Sequence, residues 1–197
     1  MNAEFHFDFG SPNAYLSHLI IPGIEQRTGA TFDYIPALIG GVFKATNNAS
    51  PMVTMAGVLN KPEYQTLETE RFLKKHKIKN YQSNPFFPVN TLQIMRGAVF
   101  AKQQPYFKHY VDEVYRHMWA EPKKMDEPDV IRQALESSGL PVDEIFAGMV
   151  LPETKQALIA NTNRSVEMGA FGSPTFFVDG EIFFGKDKLW EVEQLLG

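Results

Sequence analysis

The order of patterns along this chain predicts an α/β domain, a small mixed sheet whose two parts are separated by a helical insertion. Three observations predict it. The chain opens as strand, helix, strand; helical periodicity fills its middle; and two short apolar runs around Asp179-Gly180 close it before a last helix. The totals agree with one globular unit: 197 residues, 44% hydrophobic and 21% charged.

Residues 3–9 (AEFHFDF) alternate, with Phe5, Phe7 and Phe9 on one side, and read as a strand. Gly10 breaks the pattern. Ser11 suits an N-cap, Pro12 suits the first helical position, and Tyr15, Leu16, Leu19 and Ile20 supply an apolar face. Gly29 marks the helix end, and TFDYIPAL (31–38) reads as the second strand, parallel to the first. From about Gly40 to Pro62 the chain is rich in Gly, Asn, Ser and Pro and reads as loop. Helices are expected at about 63–78, 91–104, 106–119, 127–138, 141–150 and 153–168. The third has the clearest stripe, Phe107, Tyr110, Val111, Val114, Tyr115 and Met118. TFFV (175–178) and EIFF (181–184) flank the hairpin turn, and a helix from about Asp187 to Leu196 ends the pattern.

The composition also excludes whole classes. A net charge of −4 gives no electrostatic footprint for nucleic acid, so small molecules or proteins are the expected partners. No apolar run approaches the roughly 18 residues of a membrane span. A basic N-terminus followed by an apolar block is absent, so a cytoplasmic protein is expected. There is no cysteine, hence no disulfide and no thiol nucleophile. The five histidines show no metal-ligand spacing, and no metal is expected.

Three distant segments share one look, a bend at a strand end or helix start: Gly10-Ser11-Pro12, Gly172-Ser173-Pro174-Thr175 and Phe184-Gly185-Lys186-Asp187. If opening and closing units share a sheet, ligands belong outside the carboxyl ends of its parallel strands. Read singly, these residues are ordinary. Ser11 is a helix cap, Asp187 a helix-start acid, Asn47-Asn48 a turn, and Lys74-Lys75-His76-Lys77 a solvated helix end.

With DFGSPNAYL at the front and GSPTFFVDGEIFFGKDKL at the back, the chain resembles the 2-hydroxychromene-2-carboxylate isomerases. These stand with the kappa-class glutathione transferases in the thioredoxin superfamily branch that includes bacterial disulfide oxidoreductases. The resemblance spans essentially the whole chain. It implies a thioredoxin-like fold formed by residues 1–40 and 153–197, with 41–152 as a loop plus an all-helical insertion. Redox members carry Cys-x-x-Cys at the first helix start, where this chain reads Ser11-Pro12-Asn13-Ala14. Glutathione would bring the sulfur as cofactor, and Ser11 would hydrogen-bond it and favour the thiolate. A donor hydroxyl and a helix N-terminus both depress a thiol pKa.

The resemblance assigns the other site residues too. A cis-proline is implied at Pro174, with the backbone of Ser173 pairing with the cysteinyl part of glutathione. Phe184-Gly185-Lys186-Asp187 corresponds to the turn that holds the γ-glutamyl end, Asp187 meeting its ammonium. Lys186 departs from the family's small polar residue; it either holds the carboxylate by charge or swings into solvent. Asn48 aligns with an asparagine near cofactor and substrate. Lys44, one place off the family's lysine, is a contact for a substrate carboxylate, and Asn84 and Asn90, flanking PFFPV, line the far side of the pocket. The family reaction is thiolate addition to a conjugated aromatic acid, bond rotation, and release of glutathione, in a homodimer. The alternatives are a kappa-like transferase or peroxidase that consumes glutathione, and a thioredoxin-fold binding protein without turnover.

Overall fold

The computed structural model describes residues 3–197. Its order is β1 (Ala3–Phe7), α1 (Pro12–Thr28), β2 (Phe32–Pro36), α2 (Ile39–Thr46), α3 (Pro51–Met55), α4 (Lys61–Lys75), α5 (Leu92–Ala101) and α6 (Phe107–Trp119). Then follow α7 (Pro128–Ser137), α8 (Val142–Val150), α9 (Pro152–Glu167), β3 (Thr175–Val178), β4 (Glu181–Phe184), a 3-10 turn (Lys186–Lys188) and α10 (Leu189–Leu196). The four strands lie in the order β2-β1-β3-β4. β1 pairs parallel with β2 and antiparallel with β3, and β3 pairs antiparallel with β4. This is the mixed sheet expected of a thioredoxin-like fold, with a helical insertion between β2 and α9.

The aromatic alternation of β1 builds the core. Phe5, Phe7 and Phe9 are fully buried. Phe5 stacks on Phe176 of β3 with centroids 5.3 Å apart, and Phe9 meets Tyr115 of α6 edge-on at 4.8 Å. One hydrophobic cluster runs from these rings through α6 to Ile131 of α7 and Ile145 of α8. The insertion is therefore packed onto the sheet through a shared core. Among the described residues no helix is long and apolar enough to cross a membrane.

Two readings change. Residues 40–62 hold helices α2 and α3 and the start of α4, where the composition reads as loop. The supposed loop residues are helix punctuation. Asn47 ends α2 in a left-handed conformation, Ser50 caps α3 by accepting Met52 N–H, and Pro51 starts it. Gly41 lets α2 press on α9, since a Cβ there would come within 2.9 Å of Thr162 Cγ2. The second change is the face of α1. Leu19 is exposed, whereas Ser17, His18, Ile21 and Ile24 are buried with Tyr15 and Leu16. α1 is covered by α6 on one side and α10 on the other, so its buried surface is wider than a single stripe.

Candidate functional site

The three bends come together at one end of the sheet. Ser11 caps α1 in extended conformation (φ −96°, ψ 113°), its Oγ accepting Ala14 N–H at 3.1 Å. The same Oγ donates to Ser173 O at 2.8 Å, across 162 positions of sequence. The Ser173-Pro174 peptide is cis, as is Phe87-Pro88. Pro174 O in turn accepts Gly185 N–H at 3.0 Å, and Gly185 adopts φ 94°, a conformation that favours glycine. A continuous track of hydrogen bonds thus leads from Ser11 through Ser173-Pro174 to Gly185 and the Lys186-Asp187 turn.

Asp8 fastens the inner side of this track. It is fully buried at the end of β1. Its Oδ1 accepts Gly10 N–H at 2.7 Å and its Oδ2 accepts Ile39 N–H at 2.8 Å. The Thr91 side chain bonds it as well, while Asp8 N–H donates to Ser173 Oγ at 3.1 Å. Burial raises the Asp8 carboxyl pKa, and the Ile39, Gly10 and Thr91 donors oppose that rise. The Asp8 carboxylate therefore ties together the Ser11 bend, the start of α2 and the start of α5, and the Asp8 backbone N–H adds the cis-proline bend. Asp8 was missed from residue patterns alone; its signal is an acid set between the buried Phe7 and Phe9 just before Gly-Ser-Pro.

The outer end of the track is built differently. Lys186 is 1% exposed, and its Nζ lies 2.8 Å from both oxygens of Asp187. The ammonium also sits 4.8 Å from the centroid of Phe72 on α4. Neither sequence alternative for Lys186 describes it, because it points inward and neutralises its neighbour. The Asp187 side chain keeps 61% of its surface exposed, so one face stays open to a ligand. Phe184 is half-exposed and packs its ring 4.4 Å from that of Phe171. Gly172 permits this, since a Cβ there would meet Phe184 Cε2 at 2.8 Å.

Asn48 is exposed beyond the end of α2, and its Nδ2 donates to Phe171 O at 2.8 Å, which stitches it to the segment entering Gly172-Ser173. Lys44 is exposed one turn earlier on α2. Asn84 requires correction as a substrate contact. It is buried, its Nδ2 donates to Met118 O and Lys123 O at 3.1 Å each, and its Oδ1 accepts Phe86 N–H. Its amide organises the turn before Pro85 and has no free donor to offer. Asn90 likewise accepts Leu92 N–H at the start of α5.

The DSBA-like thioredoxin domain model matches residues 3–197 of the chain. The 2-hydroxychromene-2-carboxylate isomerase of Sphingobium xenophagum is 27% identical over 98% of this chain and 96% of its own length. The enzyme of the same name from Pseudomonas putida is 24% identical over 100% and 95%. Glutathione S-transferase kappa 1 of Caenorhabditis elegans is 24% identical over 98% and 89%. Among solved structures, a 2-hydroxychromene-2-carboxylate isomerase superposes with a TM-score of 0.86 at 23% identity, over 100% of this chain and 95% of its own. A probable DsbA oxidoreductase from Streptomyces coelicolor gives 0.71 at 18%, over 100% and 88%.

Proposed function

We propose that this chain, which belongs to the DSBA-like thioredoxin domain family, is a glutathione-dependent isomerase of 2-hydroxychromene-2-carboxylate or a related conjugated aromatic acid. One observation carries the reading. In a chain without cysteine, the Ser11 hydroxyl stands at the N-terminus of α1 and 2.8 Å from the carbonyl before a cis-proline. The donor set suits glutathione: a hydroxyl donor at a helix start for its thiol, and the open face of Asp187 for its ammonium. The names of the near-full-length relatives support the same reaction class.

Glutathione supplies the nucleophilic thiolate that this chain lacks and is regenerated in each cycle. The residues of the chain prepare for it by a simple exchange. Ser11 Oγ is held in place by Ala14 N–H, so turning its hydrogen away from Ser173 O aims a donor at sulfur without moving the oxygen. Ser173 O is then released to accept the cysteinyl N–H. A thiol with pKa about 8.5 becomes mostly thiolate at neutral pH once its pKa falls by about 2, or about 2.7 kcal/mol. A hydroxyl donor together with the positive end of a 17-residue helix is of the right kind and size. Lys44 and Asn48 are the candidates for the acid substrate's carboxylate at the α2 side.

Calorimetric titration with glutathione, followed by turnover with product analysis, tests this. Binding is expected, with free glutathione recovered quantitatively, and Ser11→Ala should raise the bound thiol's pKa. Wild-type turnover and thiol pKa in Ser11→Ala would refute the role of Ser11. The match to a kappa-class transferase favours a second reading, in which a conjugate or glutathione disulfide accumulates instead.

A further inference from the structure

The insertion holds a side-chain cluster that the candidate site does not use. Among the described residues six lysine ammonium groups make hydrogen bonds, and five of them reach a carboxylate: Asp33, Asp112, Glu127, Asp187 or Glu191. Lys123, in the turn between α6 and α7, is the exception. Its Nζ lies 2.9 Å from Nδ1 of His117, a fully buried imidazole on α6. Its backbone N–H donates to His117 O at 2.8 Å, so main chain and side chain fold back on the same residue. The other ring nitrogen fixes the protons. His117 Nε2 lies 3.1 Å from Ala134 O of α7, and a carbonyl only accepts, so Nε2 carries the hydrogen. Nδ1 is therefore bare and faces the amine as a base.

The surroundings disfavour a cation at this nitrogen. Burial lowers the Lys123 pKa and the Arg116 guanidinium lowers it further, against the opposing pull of Glu121 and Glu113. Both carboxylates are already engaged by Arg116. His117 is held down to about 4 by burial and by the cations Lys123 and Arg116, so at neutral pH the ring is uncharged. Lys123 itself is half-buried, within reach of a small reagent.

We infer that Lys123 is a modification site, a nucleophilic amine that takes an acyl group from an activated donor of the thioester or acyl-phosphate class, with His117 as its positioning base. The site lies in the insertion and does not depend on the glutathione reading. The lone pair of the neutral amine adds to the carbonyl carbon, and a C–N bond forms. The bond from that carbon to sulfur or to phosphate oxygen breaks, and the leaving group departs as its anion. The proton given up by nitrogen passes to His117 Nδ1 and from there to solvent. The product keeps the contact, because its amide N–H donates to the same Nδ1. It also removes a cation from beside Arg116, so the acylated cluster carries less repulsion than the free one.

The test exposes the full chain near neutral pH to acetyl phosphate in one arm and to an acetyl thioester in the other. Each lysine is then read at low extent of reaction by peptide mass spectrometry. Lys123 should be acetylated about fivefold faster than the exposed Lys74, Lys75 and Lys79, a larger share of free amine being partly offset by lower basicity. The donor that gives the larger lead identifies the source of the acyl group. In urea strong enough to unfold the chain the lead should vanish. A folded chain in which Lys123 reacts no faster than those three with either donor overturns the site, as does a lead that survives unfolding. NMR supplies a second reading. In the chain acetylated at Lys123 the His117 titration midpoint should rise, since a neighbouring cation is gone. An unmoved midpoint shows that the modified nitrogen does not face the imidazole and overturns the role of His117.

Discussion

The two ends of the candidate site are fastened by opposite means. At the Ser11 end the fastenings are hydrogen bonds, most of them to backbone, organised by the buried Asp8 beside the aromatic core. At the Asp187 end the fastening is an ion pair, buried on the lysine side and open to solvent on the other. The difference teaches what each end is suited to do. Fixed neutral donors hold a reacting atom in one place, whereas a partly exposed charge selects a ligand yet stays sensitive to its surroundings.

The comparison breaks most visibly at Asp8. Asp8→Ala leaves the Gly10 and Ile39 N–H groups buried without acceptors and should lower unfolding free energy by about 3 kcal/mol or more. Chemical denaturation measures this, and a loss below about 1 kcal/mol would mean the bends hold one another without the carboxylate. Ser11→Ala comes next. Turnover should fall about a hundredfold, while stability falls by only about 1 kcal/mol, the scale of a lost N-cap. Comparable losses in both would reduce Ser11 to a cap.

Smaller effects belong to the charged end. Raising ionic strength from about 0.05 to about 0.5 M should weaken glutathione binding about threefold with little change in the bound thiol's pKa. A salt-dependent thiol pKa would show that the two ends are not separable. Lys186→Met should change stability by about 1 kcal/mol or less, because removing a buried ammonium also removes its desolvation cost. Thermal melting would expose a larger loss, which would make the pair a structural keystone rather than a local neutralisation.

Much of this was legible from residue patterns, and the rest was hidden for physical reasons. Ser11 as a cap, the Asp179-Gly180 turn and the aromatic face of β1 follow from local rules, and the structure places all three as expected. Both Asp179 and Gly180 have positive φ, as the hairpin requires. The α2–α3 segment was misread because Gly, Asn, Ser and Pro mark helix ends as well as loops, and only the approach of α2 to α9 explains Gly41. Asn84 has the look of a site residue in sequence, yet its amide is committed to backbone carbonyls that arrive from 34 and 39 positions away. The inward turn of Lys186 depends on Phe72, which sits on a helix more than a hundred residues earlier. Such pairings carry no local signature.

The placement of the two tryptophans has an optical consequence. Trp119 is buried and donates from Nε1 to Phe9 O at 2.7 Å, two residues from Ser11, while Trp190 is 55% exposed and lines a surface groove together with Asp187. The molecule therefore carries one blue-emitting fluorophore beside its serine and one red-emitting fluorophore beside its aspartate. With a single cuvette, quenching by iodide would address the second and spare the first, so events at each end of the ligand can be followed in separate colours.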